Sequence, residues 1–425
     1  MTEKKRIVVI GGGFGGLNLI KNLDKKKFDV LLVDRNNFHS FPPLFYQIAS
    51  SALDPGSISF PFRRELRKDK VKGTRYNIGE VQTINFADKI ITTQYDSINY
   101  DILVIAAGTT NNFFGIEGLK EQVYTLKSTG EALRCRNEIL YRLEQASLAK
   151  TAEERRKILS FTIIGGGPTG VEIAGAIGEM KRYVLPREYP DINADDLNVT
   201  ILEGTDRLLR TMSPRSSEEA KEYLGHLMVD VKLGKTMNSY KDNIITLADG
   251  EEIYSEMVIW TAGITGEPFT FEGGQPEIAR GNRLVVDKFN KVAGVEDVYA
   301  IGDISSHCDE RFPGGYPQLA QVAIQQAKTL AKNLNKGKME KTFNYNDKGT
   351  MATVGRNRAV ADLNHMHLYG RPAWAAWMFV HLISILGMRN KLSVLMNWVW
   401  TYFTYSTSLR LLFSPAKYPR KKPNR

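Results

Sequence analysis

Two glycine clusters in this 425-residue chain have the spacing that lets a backbone close on phosphate. One is Gly11-Gly12-Gly13-Phe14-Gly15-Gly16, the other Gly165-Gly166-Gly167-Pro168-Thr169-Gly170, each with glycine at the first, third and sixth places. In such a loop the first glycine makes a tight turn and the second lets backbone approach a pyrophosphate. The third lets the following helix pack closely on its sheet. Each cluster is followed by an acid able to accept a hydrogen bond from a ribose hydroxyl: Asp34, 21 residues after Gly13, and Glu203, 36 residues after Gly167. An acid at position 203, rather than an arginine, favours NADH over NADPH because a carboxylate repels a 2′-phosphate. A third motif, Gly302-Asp303, ends the apolar run Val298-Tyr299-Ala300-Ile301.

These residues need strands and helices to hold them. Arg6 to Ile10 and Leu159 to Ile164 are short apolar runs that read as buried parallel strands. Residues 30–33 and 197–202 are the strands that end in the two acids. Leu103 to Gly108 and Val258 to Gly263 close the two nucleotide folds, placing Ala107, Gly108, Ala262 and Gly263 at strand ends. A helix opening at each cluster turns its free N–H groups and positive dipole end toward phosphate. The longer separation before Glu203 lies in residues 180–196, where Pro186, Pro190 and Asp191 mark an extended helix end and loop. The fold expected is α/β, with two Rossmann-like dinucleotide-binding domains and a C-terminal amphipathic helical membrane-anchoring segment.

Charged residues make up 24% of the chain and hydrophobic ones 42%, an ordered globular composition long enough for two or three domains. Two cysteines, Cys135 and Cys308, exclude a disulfide framework and a four-cysteine zinc or iron–sulfur centre, and no metal is expected. The apolar run Ile7–Ile10 is too short for a signal peptide, and no stretch reaches the roughly 18 apolar residues of a spanning helix. The net charge of +10 is concentrated: residues 363–425 hold nine basic and no acidic side chains, with four of the five tryptophans (Trp374, Trp377, Trp398 and Trp400). A helical subdomain with its aromatics inside would explain this, and so would two interfacial helices, roughly 373–387 and 391–413. The second reading is the expectation, since Trp and Tyr favour headgroup depth and each basic residue near anionic lipid contributes about 1 kcal/mol. Nucleic acid is not expected, because Leu, Ile, Met and Val interleave the charges and no reader motif is present.

The order of these motifs resembles the two-dinucleotide-binding-domain flavoproteins over residues 6–335, with an NAD domain inserted in an FAD domain. Disulfide reductases of that superfamily need a cysteine pair beside the flavin, and the corresponding stretch Phe38 to Gln47 has none. Sulfide:quinone reductases share the Pro-Leu loop and C-terminal helices but carry substrate on cysteine sulfur. The chain most closely resembles the type II NADH:quinone oxidoreductases, single-subunit membrane-associated enzymes. Phe41 to Ala49, Gly165 to Glu172, Leu319 to Ala327 and the Trp-rich C-terminus carry that match.

The resemblance implies two-electron transfer from NADH through one non-covalent FAD to a quinone (menaquinone or ubiquinone) in a respiratory chain, without proton pumping. It implies FAD contacts at Gly11, Gly12, Gly13, Phe14, Gly15, Gly16, Asp34 and Arg35. Further flavin contacts would come from Pro43, Leu44, Val81, Ala107, Gly108, Gly302, Asp303, Ala320 and Gln321. NADH would meet Gly165, Gly166, Gly167, Thr169, Gly170, Glu172, Glu203, Ala262 and Gly263, and quinone would meet Ala320, Gln321, Gln325 and Ile383. Glu172 is the catalytic candidate. It reads either as an acid favouring a helix dipole in the first turn or, as the resemblance implies, as a carboxyl directed toward the flavin. His39 and His381 read as structural. A homodimer, peripheral on the cytoplasmic face of the cell membrane, is also implied. The rivals are a soluble NADH:acceptor flavoprotein reductase, whose C-terminus would be mixed in charge rather than aromatic and uniformly basic, and an NADH-binding sensor, which would form a long-lived reduced complex and turn quinone over slowly. The expected boundaries are 1–115 and 285–335 for the FAD domain, 116–284 for the NADH domain and 336–425 for the membrane-associating domain.

Overall fold

A computed structural model describes residues 4–404, apart from Lys70 and His365, together with 409–412. Tyr405, Phe413 and the basic residues Lys417, Arg420, Lys421, Lys422 and Arg425 of the expected anchor lie outside the described residues. The chain divides into two units. The first comprises Met1–Ser40, Ser59–Asn112 and Ile264–Lys348, and the second Phe41–Ile58, Phe113–Gly263 and Gly349–Arg425.

The first unit is built on a five-stranded parallel sheet in the order Val298–Ala300, Ile102–Ile105, Lys5–Ile10, Phe28–Asp34, Arg75–Ile78. Its central strand is apolar at every position from Ile7 to Ile10 because both faces are covered. Ile7 and Val9 pack with Leu19, Ile20, Leu330 and Leu334, on the side of the helices Phe14–Asn22 and Ala320–Lys336. Val8 and Ile10 pack on the opposite side with Leu31, Val33, Ile84 and Ile91.

The second unit has a four-stranded parallel sheet, Val229–Leu233, Asn198–Glu203, Ser160–Ile164 and Met257–Trp260. The helix Pro168–Glu179 follows its second glycine cluster. A three-stranded antiparallel sheet (Thr350–Thr353, Ala359–Leu363, Met366–Tyr369) leads into the helices Gly370–Ser384 and Met388–Thr404.

The division differs from the expected boundaries for reasons of strand pairing. Ile264–Gly266 pairs with Thr109–Asn111, Thr270–Glu272 with Val81–Asn85, and Arg283–Val285 with Ser305–Ser306, so the crossing falls at Gly263 rather than residue 284. The C-terminal part is not a separate body. A Cβ on Gly175 would lie 2.8 Å from the Gly355 nitrogen, so the Pro168–Glu179 helix and the turn after Thr353 are in backbone contact. The segment Phe41–Ile58 also belongs to the second unit, where Leu44, Phe45 and Ile48 are buried.

Candidate active site

In the first unit the chain leaves its central strand at Gly11, with φ +93° and no room for a Cβ, which would sit 2.5 Å from the Ala106 carbonyl oxygen. A Cβ on Gly16 would sit 1.9 Å from the Gly11 oxygen, so the Phe14–Asn22 helix rests directly on its loop. Gly13 is the opposite case, with nothing within 4 Å of its Cβ position. No side chain caps the helix that starts there. Open space in front of unfilled N–H groups fits the phosphates of a dinucleotide.

Asp34 accepts hydrogen bonds from the Gly12 N–H and the Asn36 N–H, both at 2.7 Å. Burial nonetheless lifts its carboxyl above the ordinary range. The same Gly12 peptide is held from its other end by His39, whose Nδ1 lies 2.8 Å from the Gly12 carbonyl oxygen. Burial pushes the His39 pKa down to about 4, so the ring is neutral at pH 7 and Nδ1 must carry the hydrogen it donates. Gln326 plays the equivalent part at the Gly302-Asp303 motif: fully buried, it accepts from the Gly302 N–H at 2.7 Å, and Gln318 donates to the Asp303 carbonyl at 3.1 Å. The sequence reading missed both His39 and Gln326 as supports of these loops. Around them, Ala107 and Gly108 (φ +72°) follow the Ile102–Ile105 strand, and Val81 opens a strand with its side chain buried. Phe14 meets the His39 ring edge-on at 5.5 Å. Gly15 is a packing glycine, its Cβ position 3.4 Å from Ile301 and 3.7 Å from Ala323. Arg35 is a surface residue in ion pairs with Glu80 and Glu267.

The second unit repeats the construction. Gly165 has φ +109°, and a Cβ there would meet Ala262 Cα at 2.7 Å. A Cβ on Gly170 would lie 1.9 Å from the Gly165 oxygen, whereas Gly167 again faces open space before an uncapped helix. Glu203 accepts from the Gly166 N–H at 2.6 Å and the Thr205 N–H at 2.8 Å, matching Asp34 bond for bond. The longer loop does not alter this geometry, because its extra residues form a π-helical turn (Met180–Val184) and a short helix (Leu185–Glu188) beyond the cradle. Thr169 and Ala262 are exposed, and Gly263 ends the segment.

Glu172 lies one turn inside its helix, whose first turn carries no acid, so the dipole reading loses its basis. It is 8% exposed, and burial pushes its carboxyl up to about 8 against a bond from the Thr353 N–H. Thr353 starts a chain of hydrogen bonds. Its Oγ1 is 3.0 Å from the Tyr46 hydroxyl, which accepts from Gln47 Nε2 at 3.0 Å, and Gln47 Oε1 accepts from Trp398 Nε1 at 2.9 Å. His381 is structural as expected, its Nδ1 donating to the Trp377 carbonyl and its ring stacked at 4.0 Å on that indole.

Other expected contacts read differently in the structure. Leu44 is wholly buried in protein packing in the second unit, with Pro43 beside it, so Leu44 has no surface to offer a flavin. In the first unit Ala320 and Gln321 open an uncapped helix, with Gln321 accepting from the Lys348 N–H at 3.0 Å. Gln325 is committed at both ends of its amide to the Asn346 backbone, at 2.9 and 3.0 Å, which makes it a clamp on that segment. Ile383 is exposed in the second unit beside Phe379 and Val380. Of the C-terminal tryptophans, Trp377 and Trp398 point inward and Trp400 outward, so the two readings of that segment each describe one face.

A profile of the pyridine nucleotide-disulphide oxidoreductases matches residues 5–327, and one of the NDH2 C-terminal domain matches residues 348–405. Over 421 residues the chain is 32% identical to the type II NADH:quinone oxidoreductase Ndh of Mycobacterium tuberculosis, covering 95% of this chain and 89% of that protein. It is 30% identical to the mitochondrial internal alternative NAD(P)H-ubiquinone oxidoreductase A1 of Solanum tuberosum, covering 94% and 86%. The structure of NDH2 from Plasmodium falciparum in complex with NADH has the same fold, with a TM-score of 0.87 at 22% identity over 97% of this chain and all of that one. Two matched cradles, a matching C-terminal domain and end-to-end similarity together establish that the chain belongs to the type II NADH:quinone oxidoreductases, single-subunit FAD enzymes that pass electrons from NADH to quinone without pumping protons.

Proposed function

We propose that the Gly11–Gly16 cradle with Asp34 and Gly302-Asp303 holds FAD, and that the Gly165–Gly170 cradle with Glu203 holds NADH. The observation that carries this reading is the duplicated pattern in which Gly12 and Gly166 each donate a backbone N–H to the acid ending the next strand. Bound FAD supplies a carrier that accepts a hydride and releases two electrons. The protein supplies position and charge. Asp34 and Glu203 fix their glycine loops and keep acceptor capacity for ribose hydroxyls. Gly13 and Gly167 leave room for phosphate, and Glu203 disfavours a 2′-phosphate. Glu172, with its pKa near 8, holds a proton at neutral pH and can deliver it when quinone is reduced to quinol. Cys135 is fully buried, so it offers no sulfur to carry a sulfide substrate.

The quinone is proposed to come from a membrane leaflet against which the C-terminal helices rest. Met388, Leu392, Met396, Trp400 and Phe403 recur at helical spacing and are all exposed, with Phe379 and Ile383 exposed on the preceding helix. Arg371 is exposed at the start of that helix and Arg389 at the start of the last one. Among the described residues no helix is long and apolar enough to cross a bilayer, which fits a helix pair lying in the interface. A cytoplasmic face and a homodimer are part of this proposal, on family resemblance. The test is anaerobic mixing of FAD-loaded protein with NADH and then a short-chain quinone. The flavin absorbance should bleach and return, with one quinol formed per NADH, and proteoliposomes should develop no membrane potential. Protein that takes up no FAD, or that bleaches but is not reoxidised by quinone, overturns the reading.

A further inference from the structure

The first unit carries an open basic groove of about 580 Å³ between one face of the Ala320–Lys336 helix and the segment 341–346 that follows it. All its lining residues lie within 311–346, so it is a feature of this unit alone. Apart from Gln325, the clamp on Asn346, no residue discussed above for FAD, NADH or quinone lines it.

One wall is helical. Gln325, Lys328, Thr329 and Lys332 fall at i, i+3, i+4 and i+7 and so share one face. Lys328 and Lys332 are exposed like charges one turn apart, which costs helix stability unless an anion lies between them. Lys336, one turn further on, is outside the groove and is paired with Glu340 at 3.4 Å. Along the other wall burial alternates. Phe343 and Tyr345 are buried in a cluster with Tyr316 and Val322, which leaves Thr342, Asn344 and Asn346 exposed along the groove. This wall is tied at both ends. The fully buried Asn333 accepts from the Lys341 N–H at 2.9 Å and donates to its carbonyl at 2.8 Å, and Gln325 makes the same pair of bonds to Asn346. Arg311 donates to Asn344 Oδ1 at 2.8 Å and to the Tyr345 carbonyl at 3.0 Å. The groove is therefore shaped before any ligand arrives.

Its chemistry selects the ligand. Four cations and no carboxylate line it, although residues 1–362 hold 48 basic and 47 acidic side chains. Arg311 is partly spent on Asp309 at 3.6 Å, whereas Lys328, Lys332 and Lys341 have no ion pair among the described residues. The neighbouring acids are committed elsewhere: Asp309 accepts from the Tyr316 hydroxyl and Asp347 from that of Tyr345 at 3.0 Å, while the exposed Glu310 lies outside the lining. Ammonium groups with the hydroxyls of Thr329 and Thr342 suit phosphate oxygens. Three free ammonium groups exceed the charge of about −2 on a single phosphate, so linked phosphates fit better. Between residues 311 and 346 no large apolar side chain is exposed, which leaves nothing for acyl chains to meet. The one aromatic residue in the lining, Tyr345, is 1% exposed and offers no face to a base.

We propose that this groove binds a soluble oligophosphate, two or more linked phosphate groups, through Lys328, Lys332 and Lys341. Binding requires neither NADH nor turnover, so the proposal stands or falls separately from the electron-transfer assignment.

The experiment is calorimetric titration of oxidised, FAD-loaded protein with tripolyphosphate at low salt, with excess NAD⁺ present to occupy the second cradle. Binding should saturate at one per chain, weaken as salt is raised, and be at least tenfold tighter than that of orthophosphate. Lys328→Gln with Lys332→Gln should weaken it at least tenfold, and Lys328→Arg with Lys332→Arg should retain it. Lys26→Gln with Lys72→Gln, the same charge change at exposed sites outside the groove, should have less than a twofold effect. Undiminished binding in the Lys328/Lys332 glutamine variant would place the ligand on the basic C-terminus or in a nucleotide cradle and overturn the proposal. Equal weakening by the Lys26/Lys72 variant would reduce the effect to net charge and do the same. A glutamine variant that keeps tripolyphosphate binding but no longer floats with anionic liposomes would make the groove a lipid-facing surface, which also overturns it.

Discussion

Glu172 gives the sharpest quantitative test, because burial rather than a charged neighbour raises its pKa. The folded carboxyl titrates near 8 and an unfolded one near 4.5, so the folded state binds the proton more tightly. The contribution is therefore present in full below about pH 4.5 and is lost as pH rises toward 8. Each pH unit in that window lowers stability by about 1.4 kcal/mol. Integrated between pH 5.5 and 8.5, the loss is about 3 kcal/mol, of which Glu172→Gln should show none. Urea unfolding of the FAD-loaded wild type and variant at both pH values measures it, with FAD in constant excess. The variant's stability relative to wild type should improve by about 3 kcal/mol from the lower to the higher pH. A change under about 1 kcal/mol would mean that the carboxyl ionises as an ordinary solvated one, and the proposed proton-holding role would go with it.

The glycines separate folding from binding. Gly16→Ala and Gly170→Ala force a Cβ onto a backbone oxygen 1.9 Å away and should each cost about 3 kcal/mol in unfolding free energy. Gly13→Ala and Gly167→Ala should leave stability within about 1 kcal/mol. The first of these should purify with reduced FAD content and the second show a raised KM for NADH. Glu203→Gln should lower the NADH-over-NADPH ratio of kcat/KM at least tenfold, a result read from steady-state rates with either nucleotide. Trp400→Ser with Phe403→Ser removes two exposed apolar side chains worth about 2 kcal/mol each at an interface. Flotation with anionic liposomes should fall more than a hundredfold, while NADH oxidation by a water-soluble acceptor stays at the wild-type rate.

The cradles were legible in the sequence because every feature that makes them is local: a β-branched strand, a glycine needing positive φ, and a helix opening within six residues. Their supports were not. His39 reaches Gly12 across 27 residues and Gln326 reaches Gly302 across 24, and neither contact leaves a periodic trace. The inserted residues before Glu203 lengthened the spacing without changing the end geometry, so spacing alone understated how alike the two loops are. The C-terminal helices defeated periodicity for a different reason. Val394 and Trp398 face inward while Met396 and Trp400 face outward, so both faces are apolar and no polar stripe marks which is which. The placing of Phe41–Ile58 was hidden too, since a segment that changes neighbours without a change in composition carries no boundary signal.

The last helix is fastened along its length. Asn390 donates to the Gly56 and Ser57 carbonyls, Asn397 to that of Ala52, and Trp398 to Gln47. Arg187 and Arg356 donate to the carbonyls of Thr404 and Tyr402 at its final turn, where cations also favour the negative helix end. What composition suggests is a detachable tail is thus a clasp closing over the 47–57 loop. Trimming it would strip these partners from the Ala52, Gly56 and Ser57 carbonyls and the Gln47 amide, and a shortened chain that no longer sediments with lipid would be reporting damage to its own architecture. The proposed lipid attachment can be dissected only from the outward face, one side chain at a time.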